Sequence, residues 1–288
     1  MSEKHIDEVS GVETTGHEWD GIRELNNPMP RWWVLTFYVT ILWAIGYVVV
    51  YPAIPMVTSA TKGYFGYSSR AELQQDLDHA KAGQAKFHEM IAAKSVEEID
   101  ADPALREFAI AGGASAFKVN CATCHGSGAS GGPGFPNLND DDWLWGGDLQ
   151  SIQTTIAHGI RFDEDADTHV SEMPAFGDIL SKDQTKEVAA YVWGLTNTPS
   201  DPALATAGKQ IFLDNCAACH GEDARGAPGT GAPDLTDAFW LYGGDQASIY
   251  TSIYNGRQGH MPTWEARLSA TDRKILTLYV LDLGRSAQ

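Results

Sequence analysis

The chain has 288 residues, a length suited to about two domains, and its 43% apolar and 20% charged content excludes a largely disordered, collagenous or many-span membrane chain. Its 38 acidic residues against 20 basic ones leave a net charge of -18, so a phosphate backbone is repelled and nucleic acid is excluded as a partner. Four cysteines are too few to staple a chain of this length, and they fall as two close pairs.

Residues 1–31 read as an acidic tail. No residue from 32 to 61 is charged, and 32–51 is almost wholly apolar. Twenty helical residues at about 1.5 Å each cover the roughly 30 Å hydrocarbon layer of a lipid bilayer. Trp32 and Trp33 at one end and Tyr47 and Tyr51 toward the other resemble interfacial belts, and Pro52 and Pro55 end the helix. Residues 32–57 are therefore expected to be an uncleaved transmembrane anchor, since no small-residue cleavage site follows. Arg23 and Arg31 before it and Lys62 and Arg70 after it leave its orientation open. Residues 58–108 are expected to be a helical connector. Leu73, Leu77, Ala80, Gln84 and Phe87 share one face of a helix, which lies near the membrane, on a partner, or over the following domain, and the connector closes through Asp102-Pro103.

A repeat follows. Asn120-Cys-Ala-Thr-Cys-His-Gly126 returns 95 positions later as Asn215-Cys-Ala-Ala-Cys-His-Gly221. At an offset of 97, Trp143-Leu-Trp-Gly-Gly-Asp148 matches Trp240-Leu-Tyr-Gly-Gly-Asp245, and at 88, Met173-Pro-Ala-Phe176 matches Met261-Pro-Thr-Trp264. Two copies of one small domain are expected, at 109–198 and 203–288, joined by the turn-rich Thr196-Asn-Thr-Pro-Ser-Asp-Pro202.

In Cys-x-x-Cys-His the two thiols can form thioethers to one haem and the adjacent His can ligate its iron. Zinc leaves the adjacent His of both copies unexplained, and a redox dithiol requires a βαβ setting that is absent. A disulfide is the remaining competitor. Cys121, Cys124, Cys216 and Cys219 are thus expected to hold two covalent haem c groups, with His125 and His220 on the irons. Met173 and Met261, in equivalent Met-Pro-x-aromatic loops, are the candidate second axial ligands; a thioether opposite His raises the potential and suits single-electron transfer. Whether each serves its own repeat or the other stays open. His158, His169 and His260 recur at no equivalent place and are expected to be solvated.

Each copy is expected to be helical, with a helix into the haem motif, a Gly/Pro-rich loop and a short helix opening at Asp148 or Asp245. A final helix follows, capped by Ser181 with Gln184 or by Ser269 with Asp272. Gly113 and Phe117, like Gly208 and Phe212, could let the first helix cross the last near Tyr191 and Tyr279.

These motifs resemble class I cytochrome c domains. The acidic tail, the Pro-Arg-Trp-Trp helix start and the two haem motifs together resemble the FixP or CcoP family, the membrane-anchored dihaem subunit of cbb3-type cytochrome c oxidase. The resemblance implies an all-α chain of one N-terminal transmembrane helix and two tandem cytochrome c domains. It implies electron transfer in a bacterial inner membrane, with the tail cytoplasmic and the haem domains periplasmic. The implied partners are the catalytic and monohaem cytochrome c subunits, dioxygen being reduced outside this chain, which is not catalytic by itself. A stand-alone dihaem carrier is the competing reading; a dihaem peroxidase, which needs an open iron site, is the weakest. Residues 109–198 hold 12 acidic and 4 basic side chains. Asp140, Asp141, Asp142, Asp163, Glu164, Asp165 and Asp167 concentrate that charge, so a donor cytochrome with a basic face is expected to dock there.

Overall fold

The computed structural model describes residues 5–199, 201–227 and 229–285. Residues 1–4 of the tail, Ser200 of the linker, Pro228 and residues 286–288 of the second repeat lie outside the described residues. The chain divides into two units, residues 1–83 and 84–288.

In the first unit the tail is not featureless. Strands β1 (Thr14–Trp19) and β2 (Ile22–Leu25) pair antiparallel, with Glu18 opposite Arg23 and their side chains 2.7 Å apart. Asp20 and Gly21 form the turn, both at positive φ (51° and 84°), the two-residue geometry that matches strand twist. Helix α1 (Arg31–Val50) follows, 20 residues of mean hydropathy 2.0 with none buried, long enough to cross the hydrocarbon layer at about 1.5 Å per residue. Its last carbonyls are not left bare: Tyr64 N–H donates to Val49 O and Phe65 N–H to Val50 O at 3.0 and 3.3 Å. An unsatisfied carbonyl at a helix end needs such partners.

Helix α2 (Ser69–Ala93) is the expected helix, but Leu73 and Leu77 of its expected apolar face are exposed and Ile91 is its buried residue; α3 (Val96–Ala101) follows under a Ser95–Glu98 capping box. Within the second unit Ile91, Val96, Ile99 and Leu105 are buried with Ile275 and Leu278, and Phe87 stacks on Phe108 at 4.7 Å. The later part of the connector therefore covers the repeats. Lys274 fastens it by donating to the carbonyls of Ile91, Ala92 and Lys94, a cation on a helix C-terminus.

Helix α4 (Pro103–Asn120) starts earlier than the sequence suggests, because Asp102 caps the N–H groups of Ala104 and Leu105 and Pro103 fills the first turn. Asp201 and Pro202 do the same for α8 (Pro202–Asn215). The haem motifs form single turns, α5 (Ala122–His125) and α9 (Ala217–His220). Asp148 and Asp245 cap α6 (Leu149–His158) and α10 (Gln246–Asn255) as expected. Ser181 and Gln184 close a capping box on α7 (Lys182–Trp193), and Ser269 caps Asp272 at the start of α11 (Ala270–Arg285).

The packing of these helices corrects the expectation that each first helix crosses the last helix of its own repeat. Helix α4 packs on α11, and α8 packs on α7. A Cβ at Gly113 would collide with the Tyr279 side chain and the Ile275 carbonyl, and one at Gly208 with the Glu187 carbonyl. Two cores result. Phe117, Ile152 and Ile156 share one with Trp264, Leu276 and Val280; Phe212, Ile249 and Ile253 share the other with Phe176, Leu180 and Val188. The linker explains the choice, since helices joined by a short connection pack as antiparallel neighbours. With α7 folded back on α8, α11 is the helix that covers α4.

Candidate metal centres

Cys121 and Cys216 each end a helix, and the following single turn presents the second cysteine and the histidine. Cys124 and Cys219 are exposed, while Cys216 is buried and Cys121 half-buried. Desolvation pushes the thiols of Cys121 and Cys216 up to about 11, so both are neutral at pH 7. Burial also pulls the His125 and His220 imidazoles below their ordinary value.

Each imidazole is fixed in one tautomer. Nδ1 of His125 lies 3.1 Å from the Pro136 carbonyl, and Nδ1 of His220 lies 3.1 Å from that of Pro233. A carbonyl only accepts, so Nδ1 carries the proton and Nε2 keeps its lone pair for a metal; this is how ligating histidines are oriented. These prolines were not singled out from the sequence, although the signal was present: Pro136-Asn-Leu138 recurs at an offset of 97 as Pro233-Asp-Leu235.

The methionines are exchanged between repeats. Met173 packs in the core of Cys216 and Phe212, and Met261 in the core of Cys121 and Phe117. Two pairs of strand-like main-chain bonds hold the exchange. Met173 and Arg257 donate to each other's carbonyls at 3.0 and 2.9 Å, as Ile160 and Met261 do at 2.9 and 3.0 Å. A pseudo-twofold relation runs through the centre, where Gly134 N–H donates to Leu241 O and Gly231 N–H to Leu144 O.

A cavity of about 680 Å³ beside Cys216, Cys219 and His220 is walled by Met173, Val188, Phe212, Trp240 and Ile253. That volume lies within the roughly 300–1,000 Å³ of cofactor pockets. Apolar walls, thiols at the motif and an Nδ1-anchored imidazole are the donor set and shape a haem c requires.

The three other histidines of the repeats are not free in solvent as expected. His158 Nδ1 lies 3.1 Å from Asp165; His169 bonds Thr155 at 3.0 Å and stacks on Trp145 at 4.3 Å; His260, though exposed, meets the Arg161 carbonyl at 2.8 Å. The acidic run is likewise only partly solvated. Asp142 is half-buried, and desolvation, with Asp237, Asp140 and Asp234 adding repulsion, raises its carboxyl to about 6.

Comparison with known proteins places these features in one family pattern. Residues 11–58 match the N-terminal domain of cytochrome oxidase-cbb3, FixP, and residues 108–192 and 203–280 match cytochrome c oxidase, cbb3-type, subunit III. The chain is 72% identical over 284 residues to the Cbb3-type cytochrome c oxidase subunit FixPc of Rhizobium leguminosarum bv. viciae, covering 99% of both chains. It is 71% identical to the FixP subunit of Rhizobium etli over 99% of both. It is 50% identical to the CcoP subunit of Cereibacter sphaeroides over 94% of both.

Proposed function

Since the chain belongs to the FixP and CcoP family of cbb3-type cytochrome c oxidase subunits, we propose that it carries electrons through two haem c groups held across its repeats. Cys121 and Cys124 would hold one haem by thioethers, with His125 and Met261 ligating its iron; Cys216 and Cys219 would hold the other, with His220 and Met173. The observation that carries this reading is the packing of each motif's first cysteine with the methionine of the other repeat in one apolar core, beside an Nδ1-anchored histidine.

Bound there, each iron accepts and releases one electron at a time. The chain's own part is positional. Burial favours the neutral histidines, the Pro136 and Pro233 carbonyls orient them, and the methionines supply thioethers that favour the reduced state. The helix pairs α4 with α11 and α7 with α8 exclude water, so the charge change meets little solvent reorganisation. Helix α1 anchors the chain in a bacterial inner membrane with residues 1–31 cytoplasmic and the haem domains periplasmic, because covalent haem attachment belongs to the outer face. Electrons enter from a donor cytochrome with a basic face, met by the exposed Asp163, Glu164 and Asp167, and leave toward the monohaem and catalytic subunits.

Denatured chain should retain two haems per polypeptide in a haem-to-protein titre. One haem, or release of both by acid-acetone, overturns the reading. Protease added to spheroplasts should remove the haem domains; their survival while a periplasmic control is cut reverses the orientation.

A further inference from the structure

The cavity beside Cys216 has one cationic end. Arg161, from the loop after α6, reaches its wall and donates from Nε to the Gly259 carbonyl at 2.5 Å and from Nη1 to the Ser171 carbonyl. Arg257 lines the same wall, bonded to Ser252 Oγ through Nε at 3.0 Å and Nη2 at 2.7 Å, with its guanidinium 4.0 Å over the Tyr242 ring. Neither joins an ion pair among the described residues. Arg161 holds this place at φ 52°, a left-handed conformation uncommon for a residue with a side chain. Burial also pulls its guanidinium below the usual value, against the opposing pull of Tyr242 and Glu172, the direction a desolvated cation takes.

The carboxylates of the cavity do not pair with Arg161: Glu172, on the same wall, acts on it electrostatically but forms no ion pair with it among the described residues. The groups that act on Asp142 are Asp237, Asp140, Asp234 and Asp141, and neither arginine is among them. The arrangement also has no counterpart in the other half. At the offset of 97, Arg257 corresponds to Ile160 and Arg161 to Gln258, so the twofold relation that repeats the glycines, the prolines and the methionine bonds is broken here.

We infer that Arg161 and Arg257 form an anion-receiving pair for the propionate carboxylates of the haem held by Cys216 and Cys219, with Arg161 contributed from the opposite repeat. This rests on the dihaem reading above. Guanidinium forks suit carboxylates in two-point contact, and a fixed positive charge beside an iron stabilises its reduced state more than its oxidised one. The pair therefore raises the potential of this centre selectively.

The test is a redox titration of the full-length chain in detergent carrying Arg161→Gln, Arg161→Lys or Arg257→Gln, with haem titre and Met-ligation band recorded beside it. Each glutamine variant should lower the midpoint of the Cys216/Cys219 centre more than that of the other, by a fivefold to tenfold fall in the reduced-to-oxidised ratio at fixed potential; tenfold is about 59 mV for one electron. Arg161→Lys should hold the potential close to the parent although it cannot bridge two carbonyls, which a purely structural role would not allow. Two haems with intact Met ligation but unmoved potentials would overturn the inference and leave the dihaem reading standing. Equal loss in the lysine and glutamine variants would return Arg161 to loop support. A missing haem would count against the dihaem reading instead.

Discussion

The main chains of Ile160 and Met261 donate to each other's carbonyls at 2.9 and 3.0 Å, which places the second repeat's methionine loop against the first repeat's helix end. Neither haem motif is therefore enclosed by its own repeat alone. Cutting an engineered protease site in the linker at 196–201 should leave two fragments that co-elute in native buffer with both haems and separate only in denaturant. Two peaks in native buffer would contradict the exchange.

The same exchange fixes which substitution alters which centre. In a chain made mono-haem by Cys121→Ala with Cys124→Ala, Met173→His should lower the remaining potential, because nitrogen replaces a thioether, while Met261→His should leave it nearly unchanged. The reverse pattern in redox titration would assign each methionine to its own repeat.

Gly208→Ala should destabilise the protein by roughly 1–3 kcal/mol, the usual range for inserting a methyl group into a packed contact, since its Cβ would meet the Glu187 carbonyl. Gly83→Ala, with nothing within 4 Å of its Cβ inside α2, should instead stabilise that helix by about 0.5–1 kcal/mol. Thermal melts of the two variants should move in opposite directions.

Asp142 gives a pH signature. Its carboxyl is raised from 3.8 to about 6, so the folded chain favours the protonated form. The stability this provides is complete below pH 3.8 and is lost as pH rises through 6. Asp142→Asn should melt higher than the parent at pH 7.5, by about 2–4 °C per kcal/mol of desolvation and repulsion removed. The two should converge near pH 4. A constant offset across pH would assign the effect to something other than titration.

Much of the candidate site was legible from residues alone, because its cysteines, histidines and methionines stand in register across two copies. The helix caps at Asp148, Asp245 and Ser181 were legible for the same local reason. The partner of each methionine was not, since two similar halves make both pairings equally compatible with the repeat. The short linker held that information, through the antiparallel packing it imposes on α7 and α8. The hairpin in the tail had a plain signal in Asp20-Gly21, masked by the acidic composition around it. The burial of Asp142 among other carboxylates is a tertiary effect, invisible in a run that reads as a solvated surface.

The salt bridge of Arg106 with Asp282 joins residues 176 positions apart, whereas α7 and α8 are neighbours in sequence. The two enclosures consequently close at different times in a chain that emerges from its N-terminus. The later haem motif has its covering helix in hand as soon as it is made. The earlier one stays open until α11 arrives, because long-range contacts wait for the whole intervening chain. The first cysteine pair to be synthesised is thus the last to be enclosed.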